Sequence, residues 1–260
     1  MSVHLQEAAG MAVLIDACVN RIAGVKVADP FATQVVVVGS AAMVRPLKQR
    51  LSRRLGAGRF HDGVAAGIEV ETPAQLVRRL ERAQSGVEPE VDPWRPDQLA
   101  FTILGALDEV AGADELLARY LHLDGVDTAS AGGRRLQLAH RMADRFERYR
   151  QWRPDLLADW AEGAPGEVPD DCDWQRRLWL MVRDRIDGPD PVTRLRELVG
   201  VLQESGATAV TRELCLLDPL GSSQLVLRVL RALATHHELF LFCPRPGSGV
   251  LDRRRREWRQ

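Results

Sequence analysis

The sequence predicts an α/β protein, with a parallel-sheet core built from both ends of the chain and an all-helical stretch between them. Three observations carry this. Residues 35–38 are an unbroken run of valine, short enough to be a strand buried on both faces. Other strand-like runs recur only near the ends: Ile68 and Val70 alternate with charge, and 214–217 and 239–242 are short and apolar. From Asp97 to about Ser205, apolar residues instead recur every three or four positions, which is the helical period.

Taken in order, residues 3–6 read as a short strand, and 7–22 as a helix with Met11, Leu14, Ile15, Cys18 and Ile22 inward. After the valine strand, Leu47, Leu51 and Leu55 recur every four residues, with Lys48, Gln49, Arg50, Arg53 and Arg54 between them. That spacing makes a helix with one apolar stripe and one basic face. Residues 56–66, rich in Gly and Ala, read as loop. After the strand at 68–70, Thr72-Pro73 opens a helix through Leu76, Val77 and Leu80.

Residues 85–96 hold three prolines and several acids, and that composition shift is the best domain boundary in the chain. The expected divisions are 1–90, 91–206 and 207–260. In the middle part, Leu99, Ile103, Leu104 and Leu107 line one helix, and Leu116, Leu117 and Tyr120 the next. A Gly-rich loop at 125–133 precedes a long helix carrying Ala139, Met142, Ala143, Phe146 and Tyr149 inward. Trp152-Arg153-Pro154-Asp155 breaks it, and Leu156, Leu157 and Trp160 follow. Two more helices carry Trp174, Leu178, Val182 and Ile186, then 191–202. Trp152, Trp160, Trp174 and Trp179 are expected to be core. The strand pattern then returns at 214–217, followed by a helix over 222–235 and a strand at 239–242.

Composition excludes several function classes. A 45% hydrophobic and 27% charged chain with net charge −1 is an ordinary globular composition with no general pull toward nucleic acid or membrane. Lys26 and Lys48 are the only lysines, leaving 33 arginines. That skew fits phosphate recognition or codon composition, and the near-equal number of acids favours the second. Cys18, Cys172, Cys215 and Cys243 are far apart, which argues against zinc and against a disulfide framework. No run approaches the ~18 apolar residues of a membrane span. A signal-peptide pattern is also missing, so a cytoplasmic protein without membrane contact is expected.

The turn after the valine strand is the candidate site. Strand, Gly-containing turn and helix is the arrangement in which P-loop proteins hold phosphate. The eight positions that would read G-x-x-x-x-G-K-[ST] run from Gly39 to Pro46, and only the first glycine is present. Val44 resists the left-handed backbone a phosphate nest needs. Arg45 keeps a charge but not a compact ammonium. Pro46 lacks both the magnesium-binding hydroxyl and a backbone N–H, and suits a helix start. Spacing alone leaves an ordinary βα connection or a lapsed phosphate loop, and neither hydrolyses ATP. Downstream, Asp218 ends an apolar strand as a magnesium-binding carboxylate would, but Pro219 stands where a catalytic glutamate belongs, so Asp218 reads as a turn or cap residue.

The segments DPFATQVVVVGSAAMVRPLKQRLSRRLG (29–56), LQLAHRMADRFERYRQWRPDLLADW (136–160), WQRRLW (174–179) and ELFLFCPRP (238–246) resemble RecC, the gamma subunit of bacterial exodeoxyribonuclease V. RecC proteins often carry glutamine or proline where Gly39 stands and Trp-Leu where Pro46-Leu47 stands. The resemblance implies a P-loop-helicase-like parallel-sheet core, its nucleotide site degenerate, interrupted by an all-helical insertion. It also implies a non-catalytic DNA-binding and scaffold subunit of a helicase–nuclease that processes double-strand ends for recombinational repair and scans for the Chi hotspot. The implied partners are RecB-like and RecD-like subunits, a DNA duplex end and a single strand, with ATP and Mg held by the partner subunits and no cofactor in this chain. Single-strand contacts would come from Gly39, Ser40, Ala41, Arg45 and Gln49, with more from the insertion. RecC proteins are several times longer, so a fragment is expected. The alternatives are an interaction-only remnant without DNA contact and an active P-loop NTPase. The four arginines at 253–256 read as a solvated helix face or a phosphate contact.

Overall fold

In the computed structural model the described residues are 2–25, 33–57, 63–86, 88, 91–121, 128–166, 169 and 172–245, with residues 2 and 128–131 described by backbone alone. The arginine run at 253–256 and Asp29, Pro30 and Phe31 lie outside them. The valine run is strand β2 (Gln34–Val38) of a parallel sheet, with every residue buried. On its flanks lie β3 (Ile68–Glu71) and β4 (Glu213–Leu217), then β5 (Glu238–Pro244) and β1 (Ser2–Ala8), in the order β1-β5-β4-β2-β3. Every neighbouring pair is parallel. Val36 lies opposite Cys215 and Val37 opposite Leu216, so strands from before and after the helical stretch share one sheet.

Because successive strand residues point to opposite faces, one face offers Val36, Val38, Cys215, Leu217 and Phe242. Against them pack Leu14, Ile15, Cys18, Val19 and Ile22 of α1 (Met11–Gly24) and Leu47 and Leu51 of α2 (Val44–Leu55). Each such side chain contributes about 1.5–3 kcal/mol by leaving water. Val35, Val37, Leu214, Leu216, Leu239 and Leu241 bury the opposite face. Helix α3 (Pro73–Ser85) turns Leu76, Val77 and Leu80 inward. Before β5, the buried His237 ring accepts the Ala207 N–H at Nε2 (2.9 Å) and faces the Thr211 carbonyl with Nδ1 (3.0 Å), an arrangement that puts the proton on Nδ1.

The chain divides into two compact units, one of residues 1–84, 199–222 and 226–260 and one of 85–198 and 223–225. The second is helical: α4 (Pro96–Ala111), α5 (Glu115–Leu121), α6 (Thr128–Trp152), α7 (Pro154–Ala161), α8 (Asp173–Arg185) and the start of α9 (Pro191–Ser205). Its core joins Leu99, Ile103, Leu107, Phe146, Leu157 and Leu178 around Trp160 and Trp179, whose rings lie 6.2 Å apart. Trp160 donates its indole N–H to the Pro165 carbonyl (2.9 Å) and meets the Tyr149 ring edge-on. After β4, α10 (Gln224–Leu233) leads to β5.

Five local expectations are corrected. Leu116 and Tyr120, expected to line α5 with Leu117, are exposed, and Leu121 is buried beside Leu117 instead. The first strand runs to Ala8 and the helix begins at Met11, because β5 pairs with β1 along its whole length, Glu7 opposite Cys243 included. Helix α2 begins at Val44, not Pro46; first-turn N–H groups have no helical partner, so proline fits there too. Helix α6 starts at Thr128 and carries Gly132 and Gly133, expected as loop. Each costs about 1 kcal/mol against alanine, which a helix of 25 residues carries. Trp152, expected in the core with the other tryptophans, is 47% exposed at the end of α6. Pro154, at the start of α7, ends the α6 helix there, where Trp152 no longer faces the bundle core.

Candidate nucleic-acid interface

The sheet has one topological switch point. From β2 the chain moves outward to β3, whereas from β4 it moves the other way to β5. In open α/β sheets, ligands bind at the carboxyl ends of the strands flanking such a point. Here those ends are Val38-Gly39 and Leu217-Asp218, each held by a backbone hydrogen bond to the neighbouring strand. The Gly39 N–H donates to the Leu217 carbonyl (2.8 Å), and the Asp218 N–H to the Phe242 carbonyl (2.8 Å).

Asp218 is the one non-glycine with a left-handed backbone among the described residues (φ 56°, ψ 55°). It stands at the head of a short 3-10 turn, Pro219–Gly221, in agreement with its reading as a turn residue. Its conformation points its carbonyl toward β2: a Cβ built on Gly39 would lie 2.0 Å from that oxygen. Any side chain at 39 would thus force the backbone at the end of β4 to shift. Burial pushes the Asp218 carboxyl above the usual carboxylate range. The buried Cys243 thiol is pushed up to about 12, first by burial and then by the Asp218 charge. Among the described residues, no group of three His, Cys, Asp or Glu side chains is placed to hold a metal ion, and no helix is long and apolar enough to cross a membrane.

Beyond Gly39 the chain runs through extended Ser40 into a 3-10 turn, Ala41–Met43, closed by the Met43 N–H donating to the Ser40 carbonyl (3.0 Å). Val44 is right-handed (φ −58°, ψ −51°), so no left-handed nest of N–H groups forms there. Gly39, Ser40 and Ala41 are all exposed, as are Arg45 and Gln49. The last two stand one helical turn apart on α2 and share a face.

The basic residues of α2 divide into two sets. Arg50 donates to Asp16 (2.7 Å) and Arg54 to Asn20 (3.3 Å), both on α1. Arg45, Lys48 and Arg53 are exposed and form no ion pair with any described residue. Sequence reasoning saw one basic face; only the tertiary pairing with α1 separates the bound cations from the free ones.

A second basic surface, which sequence reasoning missed, lies on α6. Arg141, Arg145 and Arg148 are exposed, recur at i, i+4 and i+7 on the side away from Ala139, Met142 and Phe146, and have no ion pair among the described residues. The Arg145 guanidinium lies 5.9 Å from the Tyr149 ring centroid, and exposed Trp152 follows one turn after Arg148. The arginine spacing was the available signal, hidden because the same stretch was read for its core aromatics.

The family described as RecC, N-terminal domain, matches residues 3–260. The RecBCD enzyme subunit RecC of Mycolicibacterium smegmatis is 35% identical over 254 residues, which cover 95% of this chain and 22% of that protein. That of Mycobacterium tuberculosis is 35% identical over 259 residues, with the same coverage. That of Escherichia coli K12 is 27% identical over 155 residues, covering 58% of this chain and 13% of the relative. The chain thus spans 22% of the length of the mycobacterial relatives it matches.

Proposed function

The chain belongs to the RecC N-terminal domain family, and on that premise we propose that it is a non-catalytic, DNA-binding part of a RecBCD-type helicase–nuclease acting on double-strand ends in the cytoplasm. The observation that carries this is the turn at the switch point. It is open to solvent at Gly39, Ser40 and Ala41, and is followed one helical turn apart by Arg45 and Gln49, on a helix with cations that form no ion pair among the described residues. A single strand lies against these five residues; the exposed arginines of α6 are a separate phosphate-contacting surface on the helical unit. Arg45 takes a phosphate, which positions the strand; Gly39, Ser40 and Ala41 admit the backbone closely and discriminate little between bases.

The nucleotide site of a helicase-like core is degenerate in this reading. Val44 and Pro46 replace the phosphate-binding glycine and the magnesium hydroxyl, Pro219 follows Asp218 where a second carboxylate would stand, and the Asp218 carbonyl fills the space beside Gly39. Residues 91–206 are an insertion into that core, supported by the single sheet that β2 and β4 share. ATP, magnesium and catalysis belong to RecB-like and RecD-like partners, and Chi scanning belongs to the assembled complex.

The test is Arg45→Ala in the complex reconstituted with RecB-like and RecD-like subunits, read as single-strand affinity for several oligonucleotides across a salt series. The expected result is a similar loss for every sequence, with the salt slope reduced by about 0.7. A loss confined to one sequence would assign Arg45 to a base edge; no loss would move the DNA path away from this turn.

A further inference from the structure

We propose that the exposed face of α2 is a phosphate track which carries the strand onward from the turn, with Lys48 and Arg53 taking phosphates beyond the one held by Arg45; this rests on the reading of the turn given above. The helical period places Arg45, Lys48 and Arg53 within an arc of about 140° and spreads them over about 12 Å of axis. A stacked strand rises roughly 3.4 Å per nucleotide, so the three cations address phosphates of more than one nucleotide. The intervening residues are Gln49, exposed, and Ser52, whose hydroxyl donates to the Lys48 carbonyl (3.0 Å); neither brings negative charge to the face.

The contrast within the one helix identifies the ligand chemistry. Arg50 and Arg54 are bound to Asp16 and Asn20 of α1, which accounts for two cations structurally. Arg45, Lys48 and Arg53 have no ion-pair partner among the described residues. Arg45 also opposes its own helix: it lies in the first turn, which holds no acid, where a positive charge is unfavourable by about 0.3–1 kcal/mol. A local rule broken without intramolecular gain points outward, to an anion. The chain as a whole is almost neutral, so this face is a local field rather than part of a general one.

The experiment uses the full 260-residue chain and a labelled oligothymidylate over a salt series, comparing two variants of equal charge. Lys48→Gln/Arg53→Gln empties the outer face; Arg50→Gln/Arg54→Gln empties the flank bound to α1. The expected result is that the outer variant lowers the salt slope by about 1.4, at roughly 0.7 per phosphate on a single strand, and weakens binding several-fold at moderate salt. The flank variant leaves both unchanged. Both should melt close to the unaltered protein, since the exposed Arg50–Asp16 ion pair contributes about 1 kcal/mol or less and a surface hydrogen bond such as Arg54–Asn20 about as little. Equal effects of the two variants overturn the track by reducing it to bulk charge. An unchanged outer variant beside a weakened Arg45→Ala overturns the track but keeps the turn. No binding of oligothymidylate by the unaltered chain at low salt overturns both. An outer variant that loses capture of the RecB-like subunit, with its salt slope intact, assigns the face to a protein and overturns the track.

Discussion

The backbone carbonyl of Asp218 stands where the first side-chain carbon of any other residue at Gly39 would be, 2.0 Å from it. Two strand ends far apart in the chain are thus fitted together at the one position where the sheet's connections diverge. Neither group has slack, because the Gly39 and Asp218 N–H groups are both held by carbonyls of neighbouring strands.

Gly39→Ala is therefore expected to destabilise the protein. The obstruction is backbone, so it yields only if the end of β4 moves; overpacking of this kind costs about 1–3 kcal/mol. Denaturant titration measures it. An unchanged midpoint would show that the two strand ends separate freely.

Asp218→Asn is expected to stabilise the protein at neutral pH and to do less in acid. Burial raises the folded carboxyl above the usual range, so the folded state holds that proton more tightly than the unfolded one. The penalty for ionising it sets in as pH rises through the unfolded value, about 3.9, and is complete above the raised folded value. Asparagine removes the charge and tolerates the left-handed backbone. Thermal unfolding near pH 7 and near pH 4 distinguishes this from a backbone effect, which would be the same at both.

The thiols should divide by burial. Cys172 is part-exposed, whereas Cys18, Cys215 and Cys243 are buried. Cys18 is raised well above the ordinary range, first by its hydrogen bond with Cys215 and then by burial, and Cys243 is pushed up to about 12. Iodoacetamide at mildly alkaline pH should alkylate Cys172 first and the others only on unfolding. Asp218→Asn should leave Cys243 protected, since burial is the larger cause. Mass spectrometry of the alkylated peptides reads both.

ATP with magnesium is expected to give no heat of binding in calorimetry. Val44 has no left-handed backbone, Pro46 has neither hydroxyl nor N–H, and the Asp218 carbonyl closes on Gly39. Saturable micromolar binding lost in a Gly39 variant would overturn this.

The α/β class and parallel sheet were readable because a β-branched run of this length has one economical use, as a strand covered on both faces. The helical stretch was readable from period alone. The candidate turn was readable as a run of residues, since its five members are local. What could not be read was whatever depends on register between distant strands: that Asp218 faces Gly39, and that Arg50 and Arg54 are bound to α1 while Arg45, Lys48 and Arg53 are not. Helix ends moved for a similar reason. Glu7 and Ala8 have helix-compatible residue types, but β5 pairs with them.

The strand order sets a timetable for folding. Strand β1 pairs with β5, Ser2 opposite Glu238, so on the ribosome β1 waits for β5. At 5–20 residues per second that interval is roughly 10–50 s, long beside the microseconds in which a hairpin closes. Closing so long a loop adds little to the equilibrium cost, which grows only logarithmically with length, but such non-local pairing slows folding. Throughout that interval Val3 and Leu5, and the backbone edge they lie on, lack the β5 strand that pairs with them. Nascent chains arrested before β5 should for that reason be the form most prone to aggregate or to engage chaperones.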